Sequence, residues 1–288
     1  MNRILLPIAL PTTAARVVHQ VAFLARHFNS EIILLHVVTP LSYPAGALER
    51  GHEITERDLL AKIVPQAQKD LDGALRSELD GITVRRLLLR GDPAREIVQT
   101  ARDETVDLIA ISTHSQEVLY RFLLGSVAAK VLHNCDCPIW TDTHMKEAQA
   151  HEFNIRKVLC AVDLSGHSRH TVSRAAQMAA QFDARLTLVH ITAGVEIYGP
   201  GGLRVLPEWK EALVGYAANE MAKIQQDLHT HAEVIIDSGD VLKLLHRAAE
   251  QAKSDLLVIG HLPAGGHLGA NGSGYAIIRD SCIPVLSL

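Results

Sequence analysis

The chain has few cysteines, few aromatic residues and no long apolar run. Its 288 residues contain no paired CxxC motifs and only four cysteines: Cys135, Cys137, Cys160 and Cys282. Reduced thiols in a cytosolic protein are therefore expected, rather than a disulfide framework or a cysteine zinc site. No stretch approaches the roughly 18 consecutive apolar residues of a membrane-spanning helix. Pro7 and Pro11 interrupt the first apolar stretch, which we expect to be a strand rather than a secretory signal.

An excess of basic residues is also absent. Lys and Arg number 28 against 32 Asp and Glu, which gives a formal net charge of -4. Nucleic-acid binding through phosphate neutralisation needs a basic surface, so we do not expect a nucleic-acid partner. The sixteen histidines show no HExxH or comparable ligand spacing. His229 and His231 are predicted to share one face of a strand, which permits a surface metal site, although solvated side chains are the ordinary interpretation.

What the sequence does contain is a duplication. "RILLPIAL" at 3–10 aligns with "KVLCAVDL" at 157–164, an offset of 154 residues that also places "SEIILLHVVTP" (30–40) on "ARLTLVHITAG" (184–194). Residues 91–112 match 239–260 at an offset of 148, and Pro138 matches Pro284 at 146. Offsets that shrink in steps indicate loop deletions between shared elements. We therefore predict domain 1 over 1–142, a linker over 143–155 and domain 2 over 156–288.

Each copy alternates short apolar runs with amphipathic segments. This alternation is typical of βαβ units, and near-continuous runs such as "EIILLHVV" are typical of strands covered on both faces. Asp92 is predicted to cap a helix that has Pro93 in its first turn. The predicted fold is α/β, with two tandem Rossmann-like domains. Each is expected to hold a five-stranded parallel sheet flanked by helices, for which we assume the order 3-2-1-4-5.

A glycine-rich stretch, "GHLPAGGHLGANGSGY" at 260–275, follows the fourth strand of the second copy. Ligands of open parallel sheets bind beyond the carboxyl ends of the strands where strand order reverses, here between strands 1 and 4. Glycines let the backbone approach a ligand, and the helix start at Gly272 and Ser273 offers free N–H groups to a phosphate. Asp163, after strand 1, is placed to accept hydrogen bonds from a base or ribose. The alternative interpretation of Asp163 is that it caps the following helix together with Ser165. The alternative interpretation of the glycine-rich stretch is a variable surface loop.

These segments resemble the universal stress protein family in its tandem form. The likeness covers nearly the whole chain and rests on "ILLPIAL" and "VLCAVDLS", "DLIAIS" and "DLLVIG", and above all the closing "GSVAAKVLHNCDCPI". The resemblance implies the strand order assumed above. It also implies, as in many family members, ATP binding through a G-x-x-G-(nine residues)-G-S/T motif and a strand-1 aspartate.

Carried over by position, the motif favours domain 2. There Asp163 and Gly260 match, Pro263 replaces a glycine, and Gly272 with Ser273 matches if the spacing is one residue shorter. Ile191 and Ile259 are expected, by analogy, to line the base pocket. In domain 1 the aspartate position holds Ala9, so that site is expected to be degenerate. Its motif positions are Ser112, Ser115, Gly125 and Ser126.

The leading hypothesis is a cytoplasmic stress-response protein that binds ATP or another adenine nucleotide in domain 2, with no metal and at most weak hydrolysis. The alternative is a protein-interaction scaffold with vestigial nucleotide sites, whose candidate contact regions are residues 41–60 and 195–213. A Ser/His hydrolase is disfavoured because Ser165, His167 and His170 lack an identifiable third triad member. A dinucleotide enzyme is disfavoured because the glycines follow the fourth strand, not the first. Similar domains also suggest an internal pseudo-dimer and leave a homodimer open.

Overall fold

A computed structural model of the chain describes residues 1–10, 16–39, 56–112, 125–142, 153–192, 196–199, 202–205, 207–260 and 273–288. For residues 16, 56–60, 196–199, 202–205, 207, 208 and 273 it describes the backbone alone. The described residues divide into two units, one that runs up to Ile139 and one that continues from Trp140. The predicted domain limits and the linker remain predictions.

A parallel sheet forms the centre of the first unit. Its strands are β1 (Arg3–Pro7), β2 (Glu31–Val38), β3 (Val84–Arg90), β4 (Leu108–Ile111) and β5 (Ile139–Thr141), and the last of these begins at the final residue of the unit. Its helices are α1 (Arg16–Phe28), α2 (Glu56–Gly73), α3 (Pro93–Asp103) and α4 (Ser126–Asn134). The strand order is β3-β2-β1-β4-β5, with β1 parallel to β2 and β4.

The second unit repeats this arrangement with one addition. Its strands are β6 (Lys157–Ala161), β7 (Arg185–Thr192), β8 (Glu196–Gly199), β9 (Gly202–Val205), β10 (Glu233–Ser238), β11 (Leu256–Ile259) and β12 (Val285–Ser287). Its helices are α5 (Ser168–Gln181), α6 (Pro207–Leu228), α7 (Val241–Ala252) and α8 (Ser273–Asp280). The parallel order is β10-β7-β6-β11-β12, and β8 pairs with β9 as an antiparallel hairpin.

The parallel strands of both units have the predicted order 3-2-1-4-5, so the predicted fold class is confirmed. The central strands are buried on both faces because helices flank the strands on each side. The middle residues of β1, Ile4, Leu5 and Leu6, are fully buried. None of the helices in the described ranges combines the length and apolar character needed to cross a bilayer.

The two units share local hydrogen bonds as well as topology. Asp92 is the predicted N-cap of α3 and accepts a bond from the Arg95 amide at 3.0 Å, and Asp240 caps α7 through the Lys243 amide at 2.9 Å. At the other edge of the sheet, Asp255 Oδ2 accepts bonds from the Arg156 and Lys157 amides, both at 2.9 Å, at the start of β6. Asp107 holds the start of β1 in the same way, through the amides of Asn2 and Arg3. Two of these carboxylates therefore hold the starts of α3 and α7, and the other two hold the starts of β6 and β1.

The prediction that His229 and His231 share a strand face is wrong. Helix α6 continues to Leu228, His229 follows it with a left-handed φ of 51°, and β10 begins only at Glu233. Among the described residues, no group of three or more His, Cys, Asp or Glu side chains has the arrangement of a metal site. Within the candidate contact region 195–213, residues 196–199 and 202–205 form the β8–β9 hairpin, and α6 begins at Pro207.

Candidate functional site

Predicted site residues meet where β6 ends between its two neighbours. The register of β6 with β7, extended two residues past the last pair, sets Asp163 level with Ile191. The register of β6 with β11, extended by the same count, sets Val162 level with Gly260. Strand β6 is the first strand of its unit and has β7 on one side and β11 on the other, so strand order reverses here. The carboxyl edge at this reversal is the usual ligand position in doubly wound sheets.

Asp163 lies at this edge with an exposed side chain and an organised local turn. Its Oδ1 accepts hydrogen bonds from the Ser165 amide at 2.9 Å and from the Ser168 hydroxyl at 2.8 Å. The capping interpretation is therefore realised in part, because Ser168 is the first residue of α5. His167 occupies the N-cap position itself and makes no side-chain cap bond. Both bonds end on one carboxylate oxygen, so the turn orients the carboxylate and leaves its outer side facing solvent.

The electrostatics keep this carboxylate ionised. Burial by itself raises the pKa of Asp163, but the Ser165 amide and the Ser168 hydroxyl lower it by more, so the pKa lies below the ordinary aspartate value. The next residue, Leu164, has a φ of 59°. Leucine is uncommon in this left-handed region, and strained backbone of this kind concentrates at functional sites. The other positive-φ non-glycine residues in the described ranges follow helices.

Gly260 follows β11 in a confined position. A Cβ atom added there would lie 3.0 Å from the Thr171 hydroxyl of α5, a contact tight enough to require movement. Glycine therefore keeps α5 close to the edge of the sheet. Of the two predicted apolar residues, Ile191 is half-buried and Ile259 is almost fully buried, at 4% exposure. Ile191 thus presents apolar surface at the edge, while Ile259 belongs to the layer beneath it.

A histidine beside the site was not predicted as functional. His190 Nδ1 lies 2.7 Å from the Val162 carbonyl oxygen, and His36 Nδ1 lies 3.0 Å from the Ile8 carbonyl in the first unit. Because a carbonyl only accepts, Nδ1 must carry the proton in both rings. This bond holds the chain as it leaves the first strand of each unit, directly before Asp163 in the second. The alignment of His36 with His190 in the duplicated sequence was the available signal.

Several predicted residues lie outside the described part of the chain. They are Ser115, Pro263 and Gly272. Ser273 is the first residue of α8, so the predicted helix start is present in the backbone.

A family comparison agrees with this geometry. A model of the universal stress protein family matches residues 1–141 and again 154–286. The chain belongs to the universal stress protein family.

Individual relatives agree with this assignment. A universal stress protein of Methanocaldococcus jannaschii is 32% identical over 116 residues, which are 40% of this chain and 66% of the relative. One of Methanothermobacter thermautotrophicus is 35% identical over 115 residues, 38% of this chain and 75% of the relative. A crystal structure of a universal stress protein from Archaeoglobus fulgidus superposes with a TM-score of 0.67 at 20% identity, and covers 99% of this chain and 97% of that one. This last likeness concerns the fold.

The first copy of the universal stress protein unit has a different edge. When the register of β1 with β4 is extended by three residues, Ile8 lies level with Ser112. Val162 lies level with Gly260 at the corresponding place in the second unit. The next residue is Ala9, which is exposed and brings no carboxylate. Gly125 occupies the N-cap of α4 without a side-chain cap bond, and Ser126 is the first residue of that helix. The first copy therefore keeps the helix start and lacks the acid.

Proposed function

We propose that this universal stress protein is a cytoplasmic stress-response protein that binds ATP or a related adenine nucleotide in its second unit. The observation that carries the proposal is the exposed, oriented carboxylate of Asp163 at the strand-order reversal, beside Gly260. A carboxylate in this position accepts hydrogen bonds from ribose hydroxyls or from the amino group of a base. Ile191 adds apolar surface for a ring at the same edge.

The phosphates are proposed to lie at the start of α8. The first amides of a helix have no partner within the helix, and the helix dipole favours negative charge at that end. Ser273, near the end of the glycine-rich stretch, is the first residue of α8. An adenine nucleotide placed in this way spans from the carboxylate of Asp163 to the helix start.

We propose at most weak hydrolysis. Rapid attack on a γ-phosphate needs a positioned base or metal near the phosphate. The hydroxyl of Ser168 donates to Asp163 Oδ1 at 2.8 Å, and Ser165 Oγ accepts a bond from the His167 amide at 3.3 Å. Both hydroxyls serve the turn before α5 rather than a catalytic pair.

A scaffold function has its own support. Ala9 and Ser112 depart from the nucleotide motif in the first copy, so at least one of the two edges is free to serve another purpose. The β8–β9 hairpin, which has no equivalent in the described part of the first unit, is a candidate contact element for this function. Absence of ATP binding by the purified wild-type protein would favour this alternative.

The test is a pair of charge-removing variants. Asp163→Asn keeps Oδ1 as the acceptor for Ser165 and Ser168 and removes the negative charge. Asp183→Asn removes the same charge from an exposed left-handed residue at the opposite end of α5, where asparagine is tolerated. By calorimetric titration, Asp163→Asn should weaken ATP binding about 10- to 100-fold, as loss of a charged hydrogen bond does. Asp183→Asn should bind like the wild type. Equal affinity in all three proteins rejects the site.

A further inference from the structure

A cavity of about 790 Å³ lies between α7 and α8 in the second unit. None of the residues assigned to the nucleotide edge lines it. Its walls are largely aliphatic and are formed by Leu242, Leu245, Ala249, Leu257, Ile277 and Ile283. A volume of this size matches sites that take small organic ligands.

The duplication supplies an internal reference for this cavity. At the offset of 148, Ser254 corresponds to Val106 and His246 to Val98. The backbone is alike, since the amides of Val106 and Ser254 bond the carbonyls of Ala101 and Ala249 at 3.0 Å each. Val106 and Val98 are 9% and 8% exposed in the first unit. The second unit has therefore replaced two packed valines with polar residues, and both of these line the cavity.

Ser254 is the decisive residue of the cavity wall. It is 7% exposed, and within the described part of the chain its Oγ has no hydrogen-bond partner. Buried hydroxyl groups are nearly always paired, and an unpaired one requires an explanation. Rotation about the single Cα–Cβ bond moves Oγ among three staggered positions. A ligand group in the cavity would supply the partner that the protein does not.

The charges at the cavity show which ligand group is favoured. His246 Nε2 lies 3.1 Å from Glu250 Oε1, and Arg279 binds both carboxylate oxygens of Asp280. Asp280 is thus paired with a cation, and Glu250 has a histidine beside it. Lys243 and Lys253 also line the cavity, and neither forms an ion pair with another described residue. Lys253 directly precedes Ser254, so positive charge and hydroxyl lie on one wall.

We propose that this cavity binds a small carboxylic acid with an apolar body. The apolar part would occupy the aliphatic walls, and the carboxylate would accept a hydrogen bond from Ser254 next to the ammonium group of Lys253. The ligand site is separate from the proposed nucleotide edge, and its polar residues Ser254 and His246 are valines at the matching positions of the first copy.

Cys282 provides a local readout of occupancy. It lines the cavity, its Sγ lies 4.0 Å from His246 Nε2, and it is the exposed one of the four cysteines. Burial, and then the charge of Glu250, raise the pKa of this thiol, so labelling is best followed at pH 8. A bulky maleimide, with peptide mass mapping, measures its modification rate. A Cys282→Ser variant identifies the adduct.

Decanoate serves as the probe, with decanol as its uncharged match and ATP as a ligand for the other site. Decanoate should slow Cys282 labelling in a saturable way, decanol should act at least tenfold more weakly, and ATP should have no effect. Ser254→Val copies Val106 of the first unit and should fold normally with a raised melting temperature. It should shift the decanoate midpoint about tenfold upward, as loss of one hydrogen bond does.

Three results would overturn the proposal. One is labelling at an unchanged rate with millimolar decanoate while the protein is folded. Another is an unchanged decanoate midpoint in Ser254→Val. Equal protection by decanol and decanoate would reject the carboxylate and with it the proposed ligand class.

Discussion

Gly91 and Gly239 follow β3 and β10 with φ values of +151° and +145°. An alanine at position 91 would have to adopt this conformation, and its Cβ would lie 2.6 Å from Glu96 Oε1, which would have to move. Gly91→Ala should therefore lower the free energy of unfolding by about 1–2 kcal/mol in denaturant titrations. Gly73, the last residue of α2, has nothing within 4 Å of an added Cβ. Gly73→Ala should raise the free energy of unfolding by up to about 1 kcal/mol. A change of the same sign in Gly91→Ala and Gly73→Ala would contradict this account.

The pH dependence of the proposed nucleotide binding is expected to follow from Asp163. Its pKa lies below the ordinary aspartate value, because the hydrogen bonds from Ser165 and Ser168 outweigh the opposing effect of burial. The carboxylate is therefore charged throughout neutral and mildly acidic conditions. The ratio of ATP affinities between wild type and Asp163→Asn should stay constant from about pH 5 to 8. It should shrink only below the pH range in which an ordinary aspartate titrates, because the hydrogen bonds delay protonation of the folded carboxyl. A ratio that changes between pH 6 and 7 would assign the effect to another group.

Asp255 joins two elements, since it precedes β11 and binds the amides that begin β6. Asp255→Ala leaves both amides without this acceptor and should cost about 1–3 kcal/mol of stability. Asp255→Asn keeps one side-chain oxygen as acceptor and should cost less. Chemical denaturation of the two variants, with Asp183→Asn as the surface control, measures the difference. A loss in Asp255→Ala no larger than in the control would show that the bonds contribute little.

The same elements show what the sequence could predict. The five parallel strands of each unit were predictable because burial on both faces requires continuous apolar runs. The helix start at Asp92 was predictable because an N-cap needs a short polar acceptor. The β8–β9 hairpin was missed because its strands of four residues each carry no apolar run and have no counterpart in the described part of the first unit. His229 was misassigned because alternation of two histidines resembles a strand even after the last turn of a helix. The local turn at Asp163 is a property of side-chain geometry, which residue order alone left open between two interpretations.

The duplication also leads to a prediction of how many ATP molecules each chain would bind. Both units have the same strand order and a helix that begins at the fourth-strand connection, but the residue after the strand-1 edge is Asp163 in one unit and Ala9 in the other. If the helix start alone were sufficient, both copies would bind. If the carboxylate is required, titration should give one ATP per chain. Hydrogen exchange with saturating ATP should then slow at residues 162–168, while residues 8–10 and 125–129 keep their rates. Two nucleotides per chain, or protection in both copies, would place the binding energy at the helix starts and remove Asp163 from the explanation.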